Sequence, residues 1–150
     1  MKRSHEISHH NSVTYSFLGI PNQEQIEKIM GLYRAQGWWE AEDDCEEQLL
    51  RKLIAGSHCF AVASDESTIL GMGRAVSDGV SDAYVQDLTV HRDYRNRGIG
   101  RRILKMILKR LQDDGIQWIG LIAEPGTSNF YRTAGFEEMP KSTPMLLKTS

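Results

Sequence analysis

Four consecutive segments across residues 83–123 restrict the fold of this chain more than any other part of it. They are an apolar strand-like run "AYVQDLTV", a turn "RNRGIG" carrying Gly98 and Gly100, a helical pattern from Gly98 to Asp114, and a second apolar run "WIGLIA". Ile99, Ile103, Met106, Ile107 and Leu111 recur at the spacing of one helix face, and Gly115 follows them. Strands joined closely through a helix form a crossover unit and run parallel, because the helix must return the chain to the same edge. An α/β (α+β) domain is therefore expected, with "AYVQDLTV" and "WIGLIA" as a parallel pair.

The remaining elements fit around that unit. "VTYSFL" reads as a strand, and Pro21 is placed at the first turn of a helix through "NQEQIEKIMGLYRAQG" that Gly37 ends. A second helix is expected over residues 42–55, with Leu49, Leu50, Leu53 and Ile54 as its apolar face and Gly56 after its end. "HCFAVAS", "ILGMGRAVSD" and "AYVQDLTV" are separated by short turns and read as an antiparallel meander. A short helix "SNFYRTAG" and a last strand near "PMLLK" finish the chain.

At 150 residues the chain suits one domain with a core that needs neither disulfides nor metal. That domain is assigned to residues 13–150. Residues 1–12, "MKRSHEISHHNS", are polar, lack a period and read as a loose arm. His5 to His9 match the HExxH zinc pattern, but neither a helix nor a third ligand accompanies them, so no metal is expected. Cys45 and Cys59 are not in a CxxC spacing and read as reduced thiols. With no run of eighteen apolar residues and no signal-peptide order, the reading is a cytoplasmic protein without a membrane partner.

The net charge is only −2, so any anion-binding surface must come from local clustering. Residues 90–111 supply it, holding eight of the eighteen Lys and Arg residues. A glycine-bearing turn between a strand and a helix aims unpaired backbone N–H groups and the positive end of the helix dipole at one point, which suits a phosphate. The turn is not a Walker loop, which needs Lys and Ser or Thr after its last glycine, nor a three-glycine dinucleotide fingerprint. "GMGRAV" has two glycines and no following helix, and reads as small residues within a strand. Arg102, Lys105, Lys109 and Arg110 read as a solvated helix face. Tyr94 is the only aromatic residue interleaved with the charges, which argues against nucleic acid.

The turn carries the signature R-x-x-G-x-G through Arg95, Gly98 and Gly100, and "NFYRTAGF" follows at residues 129–136. With these two motifs at this separation, residues 60–140 resemble the GCN5-related N-acetyltransferase (GNAT) family. "GRAVSDGVSDAYVQDLTV" is similar to a segment of the small arylalkylamine or serotonin-type acetyltransferases. The resemblance implies a mixed, mostly antiparallel central sheet with helices on both faces and a splayed parallel strand pair. It implies acetyl-CoA as acetyl donor and no metal. Its pyrophosphate would lie on Arg95, Asn96, Arg97, Gly98, Ile99, Gly100 and Arg101, gripped mainly by loop amides. Leu88, Thr89 and Val90 would give backbone contacts to the pantetheine arm, with the Leu88 N–H facing the acetyl oxygen, and Tyr131 would be the proton donor. Two positions depart from the family pattern, Glu124 in place of Asn and Thr127 in place of Ala.

Acyl transfer to an amine needs a neutral nucleophile, a stabilised oxyanion and a proton for the departing thiolate. Asp87 interrupts an apolar strand, and a carboxylate so placed needs a buried partner or a function. It reads as a base, a holder of the substrate ammonium or a satisfied structural group. Glu124 is the competing base, and a water chain is the third option. The resemblance places the acceptor at "QGWWEAEDDCEEQ". Trp38 and Trp39 are adjacent there and cannot share a helix face, and an aromatic wall beside carboxylates suits a protonated amine with an apolar body. The acidic run also has a plain explanation as the first turn of a helix. The expected activity is acetyl transfer to a small primary amine, with an aromatic body favoured, by direct attack in a ternary complex. Acetylation of a peptide N-terminus or lysine is the second reading and a non-catalytic acyl-CoA sensor the third. A homodimer is compatible with all three.

Overall fold

Side chains that alternate between two covered faces build the sheet. The computed structural model describes residues 12–40 and 45–149. In it β1 (Thr14–Phe17), β2 (Cys59–Ser64), β3 (Ile69–Ser77), β4 (Asp82–Val90) and β5 (Trp118–Gly120) pair in chain order into one five-stranded sheet. The first four strands are antiparallel, and β5 joins β4 in parallel with Asp82 opposite Trp118 and Tyr84 opposite Gly120. Cys59, Ala61 and Ala63 of β2 face one side and Phe60 and Val62 the other, as the two-residue period of a strand dictates.

Each side is covered by helices. α1 (Gln23–Ala35) and α2 (Glu46–Gly56) bury Ile26, Ile29, Leu32, Tyr33, Leu50 and Ile54 against Phe60, Val62 and Met72. The opposite side takes α3 (Ile99–Asp113), through Ile99, Ile103, Leu104, Ile107 and Leu111, with α4 (Ser128–Thr133) beside it. The expected mixed sheet with helices on both faces is the observed fold.

Local chemistry explains most element ends and several differences from expectation. Asn22 caps α1 reciprocally with Gln25, so Pro21 precedes the cap rather than occupying the first turn. The helix expected over residues 42–55 is described from Glu46, residues 41–44 lying outside the described set, and it includes Gly56. Leu49 faces solvent because Leu50 and Ile54 hold the buried line, while Glu46, only 7% exposed, accepts from Arg34 of α1. No strand forms near "PMLLK" among the described residues. Pro144 lacks an N–H for a ladder and β5 offers an edge only three residues long, so Met145, Leu146 and Leu147 stay exposed. The arm at residues 1–11, with His5 and His9, lies outside the described residues.

One irregularity positions the site. Met72 pairs with Thr89 and Arg74 with Gln86, so Gly73 alone faces both Asp87 and Leu88: β4 carries a bulge. Asp87 adopts the left-handed region at φ 56°, which costs a bulky residue about 1–2 kcal/mol but is tolerated best by glycine, Asn and Asp. The extra residue resets the alternation. Leu88 and Val90 therefore pack on the α3 side with Val85, and Asp87 is left beside Arg74 and Tyr33 on the α1 side. Glycine at position 73 leaves room for this packing, since a Cβ would lie 2.9 Å from Leu88 Cδ1 and 3.1 Å from both Ile103 Cγ2 and Ile107 Cδ1, and those side chains would have to shift.

Candidate active site

β4 runs on to Val90 while β5 ends at Gly120, so the parallel pair parts after Tyr84. A cavity of about 360 Å³ opens in the gap, lined by Trp38, Tyr84, Asp87, Leu88, Glu124 and Tyr131 among others. The parting leaves the second half of β4 without a strand neighbour on its β5 side, where an extended chain could add. A second, wider hollow of about 760 Å³ runs along β5 and the segment after α4, and Tyr131 borders both.

At the far end of β4 a 3-10 turn (Arg92–Tyr94) leads into the glycine turn. Asn96 and Gly98 take left-handed conformations at φ 62° and 80°, bending the chain so that α3 starts abruptly. Gly98 caps α3 without a side-chain bond, and the first turn holds no acidic residue. Among the described residues no side chain caps the helix N-terminus, and Arg97 and Arg101 are exposed beside it. Gly100 admits close packing, a Cβ there lying 3.4 Å from Val90 Cγ2. Arg95 folds back to donate to the Val90 carbonyl at 2.9 Å, so its guanidinium braces the strand–turn junction. Arg97 lies over the Tyr94 ring. The basic face further along α3 is occupied structurally: Lys109 pairs with Asp113, Arg110 with Asp114, and Arg102 lies over Tyr15.

Tyr131 comes from α4, where its ring meets Phe130 and Phe136 edge-on at centroid distances of 5.1 and 5.9 Å. Burial, and then the negative charge of Glu124, push its phenol above the ordinary value. The group is therefore a proton carrier at neutral pH. Glu124 stands in the turn before α4, and the two departures from the family pattern are bonded to each other there. Thr127 donates both its N–H (3.0 Å) and its hydroxyl (2.7 Å) to the Glu124 carbonyl, fixing the backbone from which the carboxylate projects.

Asp87 is heavily engaged. Its Oδ2 accepts from the Tyr33 hydroxyl at 2.7 Å and from Arg74 Nε at 2.6 Å, and Arg74 also donates to Gln86. Tyr33 is 1% exposed, and its own burial, then the Asp87 charge, raise its phenol far above the ordinary value. Trp39 stacks on Tyr33 at 4.4 Å, whereas Trp38 meets it edge-on at 6.1 Å and lines the cavity. Tyr33 and Arg74 were not singled out by sequence reasoning, although Arg74 is the one charge inside β3 and Asp87 required a partner. Among the described residues no helix is long and apolar enough to cross a membrane, and no cluster of His, Cys, Asp and Glu could hold a metal.

Comparison with known proteins points in one direction. The acetyltransferase (GNAT) domain family matches residues 25–144. An uncharacterized N-acetyltransferase, ycf52, of Gracilaria tenuistipitata is 29% identical over 131 residues, covering 83% of this chain and 67% of that protein. Serotonin N-acetyltransferase 2, chloroplastic, of Oryza sativa is 31% identical over 99 residues, 63% of this chain and 50% of that protein. Among solved structures, a GNAT-family acetyltransferase of Streptococcus pneumoniae superposes with a TM-score of 0.76 at 28% identity, covering 92% of this chain and 98% of that one. A family match over most of the chain, together with a solved structure that superposes on 92% of it, settles the classification: the chain belongs to the GNAT family and is an acetyltransferase that takes its acetyl group from acetyl-CoA.

Proposed function

We propose that the acceptor is the primary amine of a small molecule with an apolar, aromatic-tolerant body, acetylated by direct attack while both substrates are bound. One observation carries the proposal. The 360 Å³ cavity between the parted strands brings Tyr131, Glu124, Leu88 and Trp38 to a single space, a size at the lower end of small-ligand sites. Trp38 and Tyr84 offer ring faces to an apolar body, and Glu124 offers a carboxylate to its ammonium. A relative that bears the name serotonin N-acetyltransferase supports an amine of this kind.

In this reading the glycine turn and the start of α3 hold the pyrophosphate of the donor, with Arg97 and Arg101 outside it, while Leu88, Thr89 and Val90 align its arm. The Leu88 N–H supports the oxyanion. Of the two carboxylates, Glu124 suits the amine's proton better, because Asp87 already accepts two strong donors on one oxygen. Once the carbonyl carbon has bonded to the amine nitrogen, the C–S bond breaks and the thiolate takes its proton from Tyr131. A phenol held above its ordinary value keeps that proton until the thiolate, desolvated in the same pocket, is basic enough to draw it.

The test is thiol release from acetyl-CoA across arylalkylamines, polyamines, aminoglycosides and short peptides, with Tyr131→Phe beside the wild type. Turnover should concentrate in the arylalkylamines, and the variant should lose about 10²–10⁴-fold in kcat while still binding acetyl-CoA. Turnover confined to peptides would replace the small-amine assignment with a protein acceptor.

A further inference from the structure

The bulge in β4 is built by a residue ill suited to an ordinary strand and then pinned from two other elements. Asp87 stands at φ 56°, next to the Leu88 amide and opposite the single residue Gly73. A left-handed residue turns the following peptide unit, so the aim of the Leu88 N–H depends on how firmly Asp87 is held. Two groups hold it: the Tyr33 hydroxyl from α1 and Arg74 Nε from β3, both on the same carboxylate oxygen. Arg74 is itself fixed by Gln86 at 3.0 Å and reaches Ser57 Oγ at 3.4 Å. Tyr33 is in turn clasped by Trp39 and Trp38, the latter on the cavity wall.

We infer that Tyr33, Arg74 and Asp87 form a positioning clasp that sets the Leu88 N–H toward the thioester carbonyl, and that through Tyr33 the clasp is tied to the aromatic wall of the acceptor site. The inference rests on the assignment of the Leu88 N–H under the proposed function. It gives Asp87 a task other than proton transfer. The carboxylate is a fixed anchor whose charge is matched by Arg74, and none of the three side chains needs to touch the reacting atoms. It also accounts for an acidic residue at a position where glycine would be the least strained choice: glycine would adopt the conformation but leave Tyr33 and Arg74 nothing to grip.

Acetyl-CoA labelled with 13C at the thioester carbonyl reads the aim of this N–H directly and requires no acceptor. Wild-type protein should move the bound carbonyl resonance away from its free position. Tyr33→Phe and Asp87→Gly should lose at least half of that displacement while dissociation constants for acetyl-CoA stay within about threefold, the phosphate grip being elsewhere. In turnover the same variants should lose about 10–100-fold in kcat, the scale of a misplacement near 1 Å. Asp87→Asn, which tolerates the left-handed conformation and keeps an acceptor oxygen for Tyr33, should recover at least tenfold over Asp87→Gly and keep every limb of the wild-type pH profile. Loss of a limb in Asp87→Asn would overturn the clasp in favour of Asp87 as base. Full carbonyl displacement in both Tyr33→Phe and Asp87→Gly would overturn it as structurally idle. If the wild type bound acetyl-CoA without displacing the resonance, the Leu88 assignment would fall, and the clasp with it.

Discussion

Two phenols with the same name do opposite work here. Tyr131 borders the cavity and, in the proposed mechanism, holds its proton in order to give it up, whereas Tyr33 is sealed beneath Trp39 and holds its proton as a fixed donor to Asp87. Tyr33 therefore ties stability to alkaline pH. Its folded pKa lies above the value near ~10 that it has when unfolded, so its contribution is complete below about pH 10 and drains away as pH rises toward the folded value. Urea unfolding between pH 9 and 11.5 should show Tyr33→Phe declining less steeply than wild type, by up to about 1.4 kcal/mol per pH unit, the worth of one proton. Single residues were unevenly legible in advance. The need of Asp87 for a partner could be read from the strand around it, but the identity of the partner could not, because Tyr33 and Arg74 lie 54 and 13 residues away, and only the packing of α1 on the sheet and the register of β3 with β4 bring them together. Glu124 and Thr127 stood out as departures from a pattern, and the bond between them emerges only in three dimensions.

Among the elements, α3 and its turn were the most legible, because a helical period and two glycines leave little choice of conformation. The bulge was harder, though it leaves a trace: Val85 and Leu88 are three residues apart, one more than strict alternation allows, with polar Gln86 and Asp87 between them. The "PMLLK" strand was predicted from apolarity alone, and apolarity cannot supply a neighbouring edge. The glycines of "GMGRAV" have a mechanical reading that follows from α3 lying close on β3. Gly73→Ala should push Leu88 and the isoleucines of α3 aside, costing about 1–3 kcal/mol and lowering kcat through the displaced Leu88. Chemical denaturation beside thiol-release kinetics would check both. A loss of stability without a loss of kcat would separate the packing of Leu88 from the aim of its N–H.

For the molecule as a whole, ligand binding must add to stability in proportion to occupancy. Acetyl-CoA at 100 times its dissociation constant should contribute about 2.7 kcal/mol, or roughly 5–10 °C in Tm for a chain of this size. Gly98→Val, placed where φ is 80°, should abolish that gain in a thermal melt while leaving the unliganded Tm within a few degrees. The layout also bears on how such a protein can diversify. In the proposed arrangement the donor is met mostly by main-chain groups, on the free edge of β4 and at the start of α3, which few side-chain replacements can alter. In the same arrangement the acceptor is met by side chains, among them Trp38 on the connection after α1 and Glu124 in the turn before α4. Descendants of this chain could exchange one amine for another by drift in those two connections, each inheriting unchanged the apparatus that delivers the acetyl group.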